Sequence, residues 1–282
     1  MEASEFKSLM LLLEDDDDAV TAAVTKRLRQ EGPNIIPELE NVWKTADNTI
    51  VTQALEHLIH DIRIDGIIHD LKKWDATGAN DLLLGVSIYN RLLFPNVPAD
   101  TLKSKIDNIC KPIWTELNSS LTALEKVKII NHFVFNVNRF SVADDFTTQS
   151  HFISTLLNTG KAQASVMVVF YAIIAQRLGL PIHCVALPNA MTLCYVDEND
   201  GGFEHDVLFY IDIRSRGTAF GSSEISDYLR SNNIDHDDAF FKPCSNLNAI
   251  IYLIHLLADC LKRLKDKRAN DCINIINSLT NN

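Results

Sequence analysis

Few of the side chains that can serve as metal ligands, bases or nucleophiles stand in a recognised motif. His57 and His60 are three residues apart in a predicted helix, with Asp61 beside them, so the three could share one helix face. No further ligand follows at a suitable spacing. Glycine-rich phosphate loops and Gly-x-Ser-x-Gly motifs are absent from the sequence as well. We therefore expect neither a metal site nor a cofactor.

The cysteines are predicted to be small buried hydrophobic residues. They form no Cys-x-x-Cys pair and lie mostly within apolar stretches, at Cys110, Cys184, Cys194, Cys244, Cys260 and Cys272. The chain starts with Met1-Glu-Ala-Ser-Glu-Phe-Lys7, which is acidic where a signal peptide is basic. Both features favour a cytoplasmic location.

Composition excludes several classes of protein. Of the 282 residues, 46% are hydrophobic and 22% are charged, as in an ordinary globular chain, which excludes a disordered or collagen-like protein. The formal net charge is −11, and an acidic surface repels phosphate backbones, so we expect no nucleic-acid partner. No apolar run reaches the roughly 18 residues that cross a bilayer, so we expect no membrane partner either.

The first half of the chain is predicted to be helical. Apolar positions in the first 75 residues repeat with an offset of 30, so that Val20 matches Ile50 and Leu28 matches Leu58. Each unit consists of two helices joined at a polar corner, as in HEAT-like helix pairs. Helical spacing then continues to residue 135. We predict a helical region over residues 1–135.

The pattern changes after residue 135. A strongly apolar run from Val166 to Ala175 predicts a helix buried on almost every side, ended by Gly179-Leu180-Pro181. Alternating segments follow and predict three strands, over Ile182–Leu187, Met191–Val196 and Val207–Ile213. Residues 136–243 are therefore predicted to form the core, and residues 244–282 two tail helices. The fold class is α+β: mostly helical, with a buried helix on a small antiparallel sheet between helical N- and C-terminal regions.

This order of elements resembles the papain-like and transglutaminase-like folds. The stretches Ser150-His-Phe-Ile-Ser-Thr-Leu-Leu157, Ala175-Gln-Arg-Leu-Gly-Leu-Pro181 and Ala186-Leu-Pro188 resemble the SirB family of bacterial transglutaminase-like proteins. The resemblance covers most of the chain. It implies a transglutaminase-like core over residues 136–243, a repeat-like helical front and a tetratricopeptide-like tail over residues 244–282.

The resemblance also locates the catalytic positions of the superfamily, and two of the three are lost. It places the nucleophilic cysteine at Ala164, the histidine at Ala190 and the acid at Asp212. A methyl group can neither attack a carbonyl nor hold a proton. Asp212 is expected to be a structural carboxylate, bonded to the backbone or to a nearby arginine.

Two residues stay open as a relocated nucleophile. Ser165 follows Ala164, although one helical step turns its side chain by about 100° around the axis. Cys194 lies four residues after Ala190, on the same face of a predicted strand. Either residue needs an imidazole within hydrogen-bond reach, and the nearest histidines in sequence are His151, His183 and His205.

The sequence therefore favours an inactive transglutaminase-like protein that works by binding. Its degenerate cleft would bind a peptide or a small ligand, with a peptide or protein as the expected partner. The predicted cleft residues are Ala164, Ser165, Asn189, Ala190 and Asp212. A hydrolase or acyltransferase with a relocated nucleophile is the first alternative. A helical scaffold for protein partners is the second.

Overall fold

The computed structural model describes residues 2–13, 17–197 and 207–280, and its contacts group into two compact units, Met1–Lys72 and Lys73–Asn282. The first unit is built from helices α1 (Ala3–Leu12), α2 (Asp18–Arg29), α3 (Ile36–Thr45) and most of α4 (Thr49–Ala76). Leu28, Leu39 and Leu55 are fully buried in its core. Amphipathic spacing thus produces a helical unit with its own apolar interior.

The proposed 30-residue repeat can be compared with burial in this unit. Leu28 and Leu58 occupy matching positions, and both are buried. Val20 is half-buried, whereas its counterpart Ile50 is 74% exposed. The repeat therefore remains a prediction.

The second unit contains most of the helices and all of the described strands. Its helices are α5 (Leu82–Asn90), α6 (Ala99–Glu116), α7 (Ala123–Asn131), α8 (Ile153–Thr159), α9 (Ala164–Arg177), α10 (Ser222–Ser231), α11 (Asn246–Arg263) and α12 (Ala269–Thr280). Two short strands, β1 (Ser141–Val142) and β2 (Lys161–Ala162), pair in parallel, and β2 lies just before α9. The predicted α+β class is confirmed.

Helix α9 is the central element. Every residue from Ser165 to Ala175 is buried, because the helix is apolar around its whole circumference. It ends where the chain turns through Gly179, whose φ of +67° lies in the left-handed region. The helix therefore forms the interior of the second unit.

A four-stranded antiparallel sheet packs against α9. Its strands are β3 (Ile182–Leu187), β4 (Ala190–Val196), β5 (Val207–Asp212) and β6 (Thr218–Phe220), paired in that order. Helix α9 contacts β3 and β4, and α11 contacts β3. The second face of the sheet packs on Ile225 and Leu229 of α10. The sheet is therefore covered on both sides.

Within the described parts of the chain, no helix is both long and apolar enough to cross a membrane.

Candidate functional site

The start of α9, the β3–β4 turn and helix α11 enclose a cavity of about 460 Å³, hereafter the α9–α11 cavity. Its lining includes four of the five predicted cleft residues, namely Ala164, Ser165, Asn189 and Ala190. Asp212 is not among the lining residues, but Arg214, two residues further along, is. The structure thus brings most of the predicted cleft together in one place.

The side chain of Gln163, the residue before α9, bonds to the segment that precedes α8 rather than to the end of α9. The backbone N–H of Gln163 donates to the carbonyl of Ser150 at 2.8 Å. Its side-chain Nε2 donates to the carbonyl of Asp145 at 2.6 Å and to Ser150 Oγ at 3.1 Å. Gln163 therefore makes no side-chain cap on α9. The positive end of the helix dipole lies at the cavity wall, beside Ala164.

The cavity contains a serine and a histidine, but they are not hydrogen-bonded to each other. Ser165 is 6% exposed and His151 is 5% exposed, and both line the cavity. Neither Ser165 Oγ nor His151 Nε2 has a hydrogen-bond partner among the described residues. Burial lowers the pKa of His151 to about 4. A serine nucleophile needs a base at hydrogen-bond distance, and this arrangement does not supply one.

Cys194 does not reach the cavity. It is completely buried on the second face of the sheet, in a cluster with Val185, Tyr210 and Leu229. Burial raises the pKa of its thiol to about 12. Ala190 packs against the same cluster, as the shared strand face predicts. Helix α10, which the sequence did not reveal, covers that face.

His183, the second candidate imidazole, is not among the residues that line this cavity. His183 lies on β3 and lines a separate hollow next to Pro181. His205 lies outside the described residues. Among the described residues, His151 is thus the predicted imidazole that lines the α9–α11 cavity together with Ser165, and Ser165 is not hydrogen-bonded to it.

Asp212 closes the turn that follows β5. Its Oδ1 accepts the backbone N–H of Arg214 at 2.9 Å, and its Oδ2 accepts the hydroxyl of Ser215 at 2.6 Å. A carboxylate with both oxygens bonded inside its own turn stabilises the local backbone. Both carboxylate oxygens of Asp212 are thus bonded within the turn, one of them to a backbone N–H.

This turn is fastened to two helices. Asn131 Nδ2 of α7 donates to the carbonyl of Gly217 at 2.8 Å, and Tyr171 of α9 donates to Asn131 Oδ1 at 3.0 Å. Arg216 donates to the carbonyl of Phe135 at 2.9 Å. These bonds fix the turn and hold Arg214 at the edge of the cavity.

Helix α11 supplies a wall of the cavity that sequence reasoning missed. The lining residues from this helix are Tyr252, Leu256, Asp259, Cys260 and Arg263, and Leu264 follows directly after its end. These residues are spaced by about one helical turn and so form one stripe of the helix. That spacing is visible in the sequence, but nothing local indicates that the stripe faces the start of α9.

The remaining thiol in the cavity is not activated. Cys260 Sγ donates to the carbonyl of Phe146 at 4.0 Å, and burial raises the pKa of this cysteine. A nucleophilic cysteine needs a lowered pKa. No group of three or more potential metal ligands is found within the described ranges.

A thiol introduced at the start of α9 tests whether the helix end is accessible. We expect Ala164→Cys to react with iodoacetamide at pH 7.5 about fivefold faster than Ala22→Cys, because a helix N-terminus lowers a thiol pKa. Ala164 is half-buried, whereas Ala22 is exposed in the middle of α2, so exposure alone predicts the reverse order. Mass spectrometry of timed samples measures both rates. Slower labelling of Ala164→Cys would show that the helix end does not activate a group in the cavity.

Comparison with known families identifies the core. A sequence model described as Transglutaminase-like superfamily (Transglut_core2) matches residues 100–254, which is more than half of the chain. The match runs from α6 into α11 and includes the start of α9 and the β3–β4 turn. A comparison with curated proteins and one with solved structures each found no match.

Proposed function

Since the chain belongs to the transglutaminase-like superfamily, we propose that it is a catalytically inactive member that binds a peptide or small ligand in the α9–α11 cavity. One observation carries this proposal. Ala164 and Ala190, which the resemblance assigns to the nucleophile and the base, both line the cavity. A site that has lost its reacting groups but kept its space is suited to binding.

The finer assignments belong to the same proposal. We place the chain in the SirB family, with a repeat-like helical front over residues 1–135, a core over residues 136–243 and a tetratricopeptide-like tail over residues 244–282. The proposed setting is the cytoplasm, and the proposed partner is a peptide or a protein. The net charge of −11 supports the expectation that nucleic acid is not the ligand.

The chemistry of the superfamily explains why activity is not expected. Acyl transfer from an amide begins with attack by a thiolate or an activated hydroxyl on the carbonyl carbon, and a general acid then protonates the leaving amine. In the described cavity, Cys260 has a raised pKa and Ser165 has no hydrogen-bonded base. The attack step therefore has no activated nucleophile among these residues.

One observation favours the enzymatic alternative, a hydrolase or acyltransferase that uses Ser165. Ser165 and His151 line the same cavity, and neither Ser165 Oγ nor His151 Nε2 has a hydrogen-bond partner among the described residues. Catalytic hydrogen bonds are often longer in an empty site than in a complex. In this alternative, ligand binding draws the two groups together.

An assay for turnover separates the two functions. We expect the purified protein to release no product above background from p-nitrophenyl esters or from peptide amides. Turnover that Ser165→Ala abolishes, with the exposed Ser231→Ala as the control, would establish the enzyme and overturn the proposed function.

A cavity-filling substitution tests the binding function. We expect Ala164→Phe to weaken by at least about tenfold every ligand found in a thermal-shift screen of peptides and small molecules, because the ring occupies the cavity. Ala99→Phe adds the same ring at the exposed start of α6 and is the matched control. If Ala164→Phe leaves binding intact while a charge reversal such as Lys26→Glu on α2 abolishes it, the scaffold alternative is correct.

A further inference from the structure

Ser165, His151 and Tyr252 are uncharged polar lining residues of the α9–α11 cavity and are hereafter called its floor. Ser165 and His151 are more than nine-tenths buried there, and Tyr252 adds a hydroxyl that is shielded from solvent. None of their atoms Oγ, Nε2 and Oη has a hydrogen-bond partner among the described residues. Leaving buried polar groups unpaired is costly, so this floor is suited to a ligand group that hydrogen-bonds to it.

The charge of the floor is fixed by burial. Because burial lowers the pKa of His151 to about 4, its imidazole is neutral near pH 7. The start of α9 adds backbone N–H groups and a partial positive charge. A neutral amide fits these partners: its carbonyl accepts from a hydroxyl or from the helix end, and its N–H can meet the imidazole. A fully charged group here would lose its hydration without a counter-ion.

The rim of the cavity is positively charged. Arg214 and Arg263 are exposed lining residues, and neither is in an ion pair with a carboxylate of the described residues. Asp259, the one acidic side chain among the described lining residues, is paired with Lys262 at 3.5 Å. Two guanidinium groups without a carboxylate partner in the described part of the chain favour a carboxylate ligand, which arginine binds with paired hydrogen bonds.

We propose that the α9–α11 cavity recognises an N-acyl α-carboxylate, in which a free carboxylate on Arg214 and Arg263 is joined to an amide on Ser165, Tyr252 and His151. A peptide C-terminus and a free N-acyl amino acid share this chemistry. The apolar lining residues Phe146, Met191 and Leu256 accommodate a hydrophobic side chain of the ligand. This inference rests on the proposed binding function.

The test compares matched probes on the full chain. A pool of randomised N-acetyl tetrapeptides is presented as free acids and as C-terminal carboxamides, beside a set of N-acetyl amino acids. Affinity selection finds the binders, and calorimetry measures each Kd. We expect the free acids to bind, and their carboxamide twins to bind at least tenfold more weakly.

Variants then locate the two parts of the ligand. Arg214→Gln combined with Arg263→Gln is expected to raise the Kd of the free acids at least tenfold and to leave the carboxamides unchanged. Lys267→Gln removes a charge from an exposed residue outside the cavity lining and should change neither. Ser165→Ala should weaken both forms by a similar factor, because the amide is common to them.

Each outcome decides one point. Binding of N-acetyl amino acids without the tetrapeptides supports the carboxylate chemistry and assigns the ligand to small molecules; the reverse assigns it to a peptide C-terminus. Equal binding of acids and carboxamides, blocked by Ala164→Phe, overturns the carboxylate and keeps the binding function. Absence of all binding overturns this inference. The thermal-shift screen with other peptides and small molecules then tests the proposed binding function separately.

Discussion

Gly217→Ala is expected to lower the free energy of unfolding by about 3 kcal/mol, an effect that originates from two separate causes. The φ of Gly217 is +78°, which a residue with a Cβ adopts only with strain. In addition, a Cβ at this position would lie 1.9 Å from Asn131 Oδ1. The Asn131 amide cannot move aside freely, because it is bonded to the Gly217 carbonyl and to Tyr171.

A second glycine separates the two causes. Gly179 has a φ of +67°, and a Cβ there would meet nothing within 4 Å. Gly179→Ala should therefore cost only the backbone strain, about 1 kcal/mol. Urea denaturation of the wild type and both variants measures the difference. Equal losses for Gly217→Ala and Gly179→Ala would show that the Asn131 contact contributes nothing.

Gly217→Ala is also expected to weaken ligand binding in the α9–α11 cavity. When Asn131 shifts, the turn after β5 loses its attachment to α7, and Arg214 loses its fixed position at the rim. We expect Gly217→Ala to weaken ligand binding at temperatures where the protein is still folded, whereas Gly179→Ala leaves binding unchanged. Binding is measured by calorimetry, and folding is checked by circular dichroism in the same samples.

The buried imidazole of His151 should make stability depend on pH. Burial lowers its pKa to about 4 in the folded protein, against 6.5 for an ordinary histidine. Between these values the unfolded chain takes up a proton that the folded protein does not. The free energy of unfolding therefore falls as the pH falls from about 7.5 to about 4, with a contribution from His151 of roughly 3 kcal/mol.

The difference between wild type and His151→Gln isolates this contribution. Carboxylates also titrate over part of this range, but they are common to both proteins and cancel in the comparison. We expect the two free energies of unfolding to converge as the pH is lowered, in urea denaturation series from pH 7.5 to 4. His255→Gln, on the exposed face of α11, controls for the loss of an imidazole. Parallel curves for wild type and His151→Gln would contradict the prediction.

Local sequence patterns were sufficient for the central elements of the fold. The apolar run before Gly179 predicted α9, and the alternating segments predicted β3, β4 and β5 to within about one residue at each end. Two tail helices were predicted over residues 244–282, and the structure has α11 and α12 there. These predictions agree with the structure because the periodicity of a helix or a strand is set by residues that are close together in the chain.

Elements with a weak local pattern were missed. The strands β1, β2 and β6 have only two or three residues each, which is too short for a periodic signal. Helix α10 was missed because it is largely polar and buries only Ile225 and Leu229. Its position on the sheet, where it encloses Cys194, depends on packing rather than on its own composition.

The sequence by itself determined the class of the fold and the methyl groups at Ala164 and Ala190, because both follow from residue types and local spacing. Only the tertiary structure decided what surrounds those methyl groups. It brought Arg263 of the tail to the start of α9, and it bound Asp212 into its own turn. These arrangements join residues that are far apart in the chain, and their geometry is set by the packing of whole helices and sheets, which no short window of sequence contains.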